Sequence, residues 1–538
     1  MFKGHPKGLI AAALSNMGER FGYYIMNAVL LLFLCSKFGL DEGTAGVIYS
    51  VFYAAIYVLS LVGGLIADHK QNYKGTIQWG LIVMAMGYVL IAIPIVASQS
   101  NHSWLLAFTC LSLALIAFGN GLFKGNLQAI VGQMYDNLEA EAAKKGPDAL
   151  RVAKSKRDSG FQIFYVFINV GGLIAPFVAP LLRQWWLGVK GMVYNASLPA
   201  LCHQYINNPD GMNVQNLTNL TDLMNHVNAG GLDVSNLGAA CSSYLEVFNT
   251  GVHYSFFASV AAMFISLIVF LATKSKFPTP SKKSSAERQS YTPEEAKEMA
   301  KEIKQRMMAL FAVLGVCIFF WFSFHQNGQS LSVYARDYVN TTKVAPEIWQ
   351  AVNPFFVIVL TPIIMLIFGG LAKRGKEIST PKKIVIGMFI TACAYIFLTA
   401  LSAVKGLPGG EIFRSLPVAN QDAMKSEWWV LIVTYFFLTV AELFISPLGL
   451  SFVSKIAPKN LQGICQGLWL SATACGNLLI WIGPVMLNKM PKLWMCWAVF
   501  MVVCLLAMGV MWGMVSWLER IINQPVHETA KTAEAQKA

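Results

Sequence analysis

Twelve times in 538 residues the chain runs for about 20 or more mostly apolar positions. A helix of that length crosses the hydrocarbon core of a bilayer, where backbone N–H and C=O groups find partners only within the helix itself. The runs lie near 8–36, 45–68, 76–97, 103–133, 159–182, 252–273, 307–335, 348–372, 384–404, 428–454, 461–488 and 493–517. Charged residues make up 13% of the chain, against roughly 25% in a soluble domain, too few to cover soluble cores. The 55% hydrophobic share excludes a disordered chain. The fold class expected is an all-α integral membrane protein. No A-x-A-like site follows a short apolar region near the start, so no cleaved signal segment is expected.

The formal net charge of +13 raises the question of nucleic acid, and its distribution answers it. With both termini placed in the cytoplasm, 29 of the 41 Lys and Arg fall on cytoplasmic segments and 10 on outer loops. Arg20 and Lys124 lie inside spans. The longest outer loop has no Lys or Arg over 191–251. Such an excess on one side is the positive-inside pattern, so the charge sets orientation and nucleic acid is not expected as a partner. A polar, Lys-rich stretch at 274–306 separates six spans from six. The expected organisation is a bundle over 1–273, a cytoplasmic linker over 274–306, a second bundle over 307–517 and a cytoplasmic tail over 518–538. Within the linker, Pro293 followed by Glu294 and Glu295 marks a helix start, read as a helix on the cytoplasmic surface.

Charges inside spans cost roughly 2.5–3.5 kcal/mol each on insertion scales, so they tend to face a cavity and mark a pathway. The first span carries Asn16, Glu19, Arg20, Tyr23, Tyr24 and Asn27, most of them on one helical face. The fourth carries Lys124, the seventh His325 and the tenth Glu442. Glu19 with Arg20 also suits a structural pair that staples helices, and His325 alone is equally a packing residue. Asp68 ends the second span and reads as a helix-end or gating contact. Separated cations and acids in one pocket suit a zwitterion, with Arg20 and Lys124 on a carboxylate and Glu442 on an ammonium. Gly119, Gly121 and Gly125 are read as permitting close helix contact around Lys124. No paired metal ligands, nucleophile elbow or phosphate loop is present, so neither an enzyme nor a cofactor or metal site is expected. Cys202 and Cys241, alone in the long outer loop, are able to pair if that side is oxidising.

At these residues the sequence resembles the proton-dependent oligopeptide transporter family of the major facilitator superfamily. Glu19-Arg20-Phe21-Gly22-Tyr23-Tyr24 is similar to the end of the family's ExxERFxYY motif, and GGLIADHKQNYKG from Gly63 to its first signature. FQIFYVFINVGGL, Phe161 to Leu173, resembles the second signature. Gly121 to Lys124, Asn353-Pro354, Glu442-Leu443 with Pro447, and Leu468-Trp469 resemble the family's fourth, eighth, tenth and eleventh spans. The resemblance implies twelve transmembrane helices in two six-helix bundles of the major facilitator type, with a peptide cavity between them that opens to alternate sides. It implies Arg20 and Lys124 on the peptide carboxylate, and Glu442 with Asn169 and Asn353 on its amino terminus. Tyr23, Tyr24, Tyr57 and Trp469 would line side-chain space, with Glu19 and His325 handling the proton.

The sequence departs from the family at four coupling positions. Asn16 stands in place of the first motif acid, His325 in place of the seventh-span acid, Asn27 in place of a basic residue, and Gly125 in place of a proline. The function expected is import of di- and tripeptides by a monomer, driven by protons, in a bacterial plasma membrane. Two other readings stay open: transport of peptide or another small solute with weak or no proton coupling, and a membrane peptide sensor without transport.

Overall fold

Each apolar run becomes a helix, and where the chain stops being helical the cause is local. The computed structural model describes residues 5–70, 72–278, 293–340, 344–374, 378–456 and 462–523. The first half holds α1 (Leu9–Phe38), α2 (Glu42–Lys70), α3 (Tyr73–Ala92), α4 (His102–Ala143) and α5 (Pro147–Val189). Two short helices follow, α6 (Leu198–Asn207) and α7 (Val214–Val227), and then α8 (Leu237–Thr273). The second half holds α9 (Pro293–Phe324), α10 (Ser330–Tyr338), α11 (Val352–Lys373) and α12 (Thr380–Val404). After these come α13 (Gly410–Arg414), α14 (Val418–Met424), α15 (Trp429–Ile456), α16 (Gln462–Leu479), α17 (Ile482–Lys489) and α18 (Leu493–Asn523).

Twelve stretches are long and apolar enough to cross a membrane, one for each run read from the sequence. Their ends differ where local chemistry intervenes. α3 stops at Ala92, short of the expected 97, because Ile93 precedes Pro94 and takes an extended conformation with ψ of 119°. α1 ends on Gly39 in the left-handed region at φ 64°, its N–H returning to the Cys35 carbonyl. α8 starts at Leu237, fifteen residues before the expected 252, capped by Asn236, whose side chain accepts from the Ala239 N–H. The helix foreseen at Pro293 begins there, but it is not a separate surface helix. Ala, Glu, Lys and Met carry it without a break into the seventh span as α9.

The spans of each half pack mainly on their own neighbours: α1 on α8 and α5, α4 on α3 and α2, and in the second half α12 on α18 and α15. Close approach of α4 depends on glycine. A Cβ on Gly121 would stand 2.6 Å from the Leu59 backbone, and one on Gly119 would stand 2.6 Å from the Gly80 carbonyl oxygen. Gly125 is looser, with its nearest neighbour at 3.8 Å. The halves meet where α2 packs on α16, and where α5 packs on α11 and on the 3-10 turn Pro346–Ala351 before it. The end carrying α6, α7, α13 and α14 is called here the lobed end, and its opposite the basic end.

Two spans are broken at matching depth. α9 gives way to a 3-10 turn at His325–Gly328 before α10, and α16 stops at Leu479 before α17. The breaks face each other. Gln326 Nε2 donates to the Ile480 carbonyl, and Ser330 Oγ donates to Gln326 Oε1. A carbonyl freed by one interrupted helix is thus satisfied by a side chain from the other.

Candidate functional site

The charged residues of the spans converge between the halves. On α1, Arg20 grips its neighbour Glu19 with both arms, Nε to Oε2 at 2.6 Å and Nη2 to Oε1 at 2.7 Å. Glu19 is fully buried and Arg20 is 6% exposed. Asn120 of α4 adds a third donor, Nδ2 to Glu19 Oε1 at 2.5 Å. One turn further along α4, Lys124 sets its ammonium 4.5 Å from the Tyr57 ring centre, within electrostatic range of Arg20 and Glu19. The Arg20 guanidinium lies 4.6 Å from the Tyr23 ring, a contact that holds a cation without cancelling its charge.

The acid stands on the other half. Glu442 of α15 accepts from Asn353 Nδ2 at 2.9 Å, and the same amide donates to Thr439 Oγ1 at 3.0 Å. Tyr24, Tyr57 and Tyr165 lie close enough to feel the Glu442 charge. Among the described residues, no carboxylate comes within 4.0 Å of Lys124 Nζ and no cation within 4.0 Å of the Glu442 carboxylate. Lys124 and Glu442 therefore make no ion pair with each other. Asn169 is buried with its amide donated to the Tyr165 carbonyl of its own helix at 3.0 Å, so it is not bonded to Glu442. Trp469 is 3% exposed and packs over Gly449, where a Cβ would stand 2.0 Å from its ring. It is held as a buried wall residue.

His325 sits in the break of the seventh span. Its Nδ1–H donates to Asn477 Oδ1 of α16 at 2.5 Å, and its ring stacks on Trp321 at 5.0 Å. Across the halves it meets Tyr53 of α2 edge-on at 5.0 Å. Tyr49, Tyr53 and Tyr57 form a ladder along α2, with ring centres 5.7 and 5.8 Å apart. Only Tyr57 of these three is among the residues expected from the sequence, although their four-residue spacing marks one face. Asp68 keeps its place in α2, but its side chain lies outside the described part of the structure.

At the lobed end the halves are tied together. Arg183 of α5 meets Glu347 of the Pro346–Ala351 turn with Nη1 to Oε1 at 2.6 Å and Nη2 to Oε2 at 3.2 Å. Arg336 of α10 bonds Glu42 of α2 at 2.6 Å and Asp337 at 2.6 Å. Arg414 reaches Asp337 at 2.8 Å and Asn488, whose amide donates to Glu42 at 2.8 Å. Glu42, Asp337, Arg336 and Arg414 balance in charge. In the sequence Arg183 and Arg336 fall just past apolar runs, among the outer-loop charges, yet both lie on helices and are buried. Lys37, counted likewise, is buried in α1 and bonds His253 Nε2 at 2.6 Å. Between the described residues of the two halves, every hydrogen bond and ion pair lies on the lobed side of Arg20, Lys124 and Glu442. Cys202 of α6 and Cys241 of α8 are both buried as free thiols where α6 packs on α8.

Comparison with known proteins agrees with this architecture. The family model described as the POT family matches residues 74–292 and 283–495. The dipeptide and tripeptide permease B of Xenorhabdus bovienii is 27% identical over 547 residues, covering 97% of each chain. The peptide transporter YePEPT of Yersinia enterocolitica is 27% identical, covering 94% of this chain and 93% of its own. A solved peptide transporter, POT, in complex with sulfate superposes with a TM-score of 0.69 at 22% identity, over 97% of both chains. A POT family transporter in complex with 5-aminolevulinic acid gives 0.65 at 18% identity, over 97% of this chain and 98% of its own.

Proposed function

The chain belongs to the POT family, a family of multi-pass helical membrane transporters, and on that premise we propose that it imports di- and tripeptides with protons by alternating access. The observation that carries this reading is the pair of unmatched charges across the cavity. Lys124 on the first half and Glu442 on the second each lack an ion partner among the described residues. A short peptide supplies both missing partners, its carboxylate to Lys124 and Arg20, its ammonium to Glu442 with Asn353. Tyr23, Tyr24 and Tyr57 border the space between, Trp469 backs it, and Asn169 stands ready if its amide leaves the Tyr165 carbonyl. Asp68, at the basic end of α2, is assigned to gating.

Proton coupling is assigned to Glu19. Three hydrogen bonds hold its carboxylate, from Arg20 Nε and Nη2 and from Asn120 Nδ2, and a proton there would loosen the Arg20 grip and free the guanidinium for the peptide. His325, with Nδ1 committed to Asn477, has Nε2 left to take a second proton. The ties at the lobed end are those of a conformation closed at that end, and the basic end we place in the cytoplasm of a bacterial cell on the Lys and Arg excess. In proteoliposomes, labelled dipeptide uptake is expected to rise with an inward proton gradient and to lose that dependence in Glu19→Gln. Asn16, an amide in the first span that takes no proton, favours a second reading, transport without coupling. Equal uptake with and without the gradient would establish it, and a dipeptide that binds without flux would mark a sensor.

A further inference from the structure

Glu19 is surrounded by donors, and one of them has an unused face. Asn120 is fully buried on α4, gives Nδ2 to Glu19 Oε1, and leaves its own Oδ1 with no hydrogen-bond partner among the described residues. A buried amide oxygen without a partner is costly, and such atoms call for a reason. Among the other described groups facing Glu19, only Arg20 is hydrogen-bonded to it. Arg20 and Lys124 are cations, and α8 presents Ser259, Met263 and Ser266 to α1 here. Ser266 is engaged with Ser15 and Ser259 with the Gly22 carbonyl. The Tyr88 hydroxyl of α3, within electrostatic range of Glu19, is buried without a partner of its own.

We propose that Asn120 is the positioning residue that senses whether Glu19 is protonated, holding the carboxylate with Nδ2 and turning its amide to accept from the acid with Oδ1. The inference rests on the reading of Glu19 as proton carrier. When a proton from the aqueous cavity adds to a lone pair of Oε1, the new O–H faces the Nδ2–H, donor against donor. Rotating the amide by half a turn replaces that clash with O–H donating to Oδ1, and no covalent bond other than the new O–H changes. The rotation exchanges one unpartnered amide atom for another, so the two orientations differ little except in what Glu19 requires. Arg20 Nη2, which shared Oε1 with Asn120, is then left with a neutral and weaker acceptor, so its grip loosens.

The test is the pH dependence of gradient-driven dipeptide uptake in proteoliposomes, with dipeptide counterflow at fixed pH reporting that each variant folds and cycles. Asn120→Leu removes both contacts, and because a bond to the charged carboxylate is about twice as strong as one to the neutral acid, the pH of half-maximal uptake is expected to rise by about half a unit to one unit. In a Glu19→Gln background the same substitution should move nothing. A midpoint equal to that of the unsubstituted protein, with Glu19→Gln itself altering driven uptake, overturns the role of Asn120. If Glu19→Gln keeps the full gradient response, the assignment of the proton to Glu19 fails, and the inference with it. Should Asn120→Leu show no counterflow, Asn120→Asp decides instead. It places a second acid against Glu19 and is expected to raise the midpoint, and an unmoved midpoint refutes the proposal.

Discussion

At Lys124 and Glu442 the structure holds two opposite charges apart, one on each half, each steadied by neutral groups. The Tyr57 ring faces the ammonium and the Asn353 amide binds the carboxylate. Neither contact cancels the charge, so each remains available to a ligand of opposite sign. Replacing Lys124 with Gln is expected to raise the KM for a dipeptide about 10- to 100-fold, the loss of one charge-assisted hydrogen bond. A dipeptide amidated at its C-terminus should show almost no further loss, because it lacks the carboxylate that Lys124 would hold. Glu442→Gln should give the mirror result with N-acetylated dipeptides. If both substitutions penalise both modified peptides equally, the assignment of ends is wrong. These charges stand out in the sequence because a charge within an apolar run is expensive. Asn120 and Asn477, which bond Glu19 and His325, are uncharged residues in Gly- and Ala-rich helices. An amide in such a run costs too little to attract notice until its partner is known.

Among the helices, those set by a long apolar run were readable and those set by contacts with other segments were not. α6 and α7 are short, Asn-bounded segments, and nothing in 190–236 foretells that α6 caps α1. In the structure, His203 of α6 donates from Nε2 to the Ser36 carbonyl at 2.7 Å, and His102 of α4 donates to the Phe38 carbonyl at 3.0 Å. The Ser36 carbonyl also accepts from Asn249 Nδ2 of α8 at 3.0 Å, so two orphan carbonyls at the end of α1 are satisfied by side chains from distant segments. Burial pushes the His203 imidazole below its ordinary value, against the pull of its hydrogen bond to Ser36. With the folded value depressed, the unfolded lobe binds more protons, so the contribution of this contact is complete above about pH 6.5 and declines as pH falls below it. Hydrogen exchange of α6 amides, corrected for intrinsic rates, should therefore speed up between pH 7 and pH 5, and His203→Gln should remove that pH dependence. Exchange rates in α6 that ignore pH would refute this account of the cap.

Over the whole molecule, what the sequence could not reveal is the conformation. Twelve spans and an orientation follow from apolar runs and the Lys and Arg count, but which end is closed depends on pairings between residues hundreds of positions apart. Glu42 meets Arg336 and Asn488, and Arg183 meets Glu347, across the line between the halves. In the sequence these charges look like ordinary helix ends. Removing one partner of a buried pair costs about 3–5 kcal/mol because the other charge is left buried alone. Arg183 and Glu347 are 2% and 1% exposed in their side chains, so Glu347→Ala should penalise the conformation closed at the lobed end. An arrangement that lets water reach Arg183 escapes that penalty, and the population should shift toward it. Cys35 reports the shift, since it borders the same cavity of about 260 Å³ as Arg183, Glu347 and Glu42. Alkylation of Cys35 by a membrane-impermeant maleimide, followed by peptide mass spectrometry, should be at least tenfold faster in Glu347→Ala than in the unsubstituted protein. The doubly substituted Arg183→Ala, Glu347→Ala protein, with no charge left stranded, should recover part of the slow rate. Equal rates in all three would mean that the Arg183–Glu347 bridge does not hold the lobed end shut.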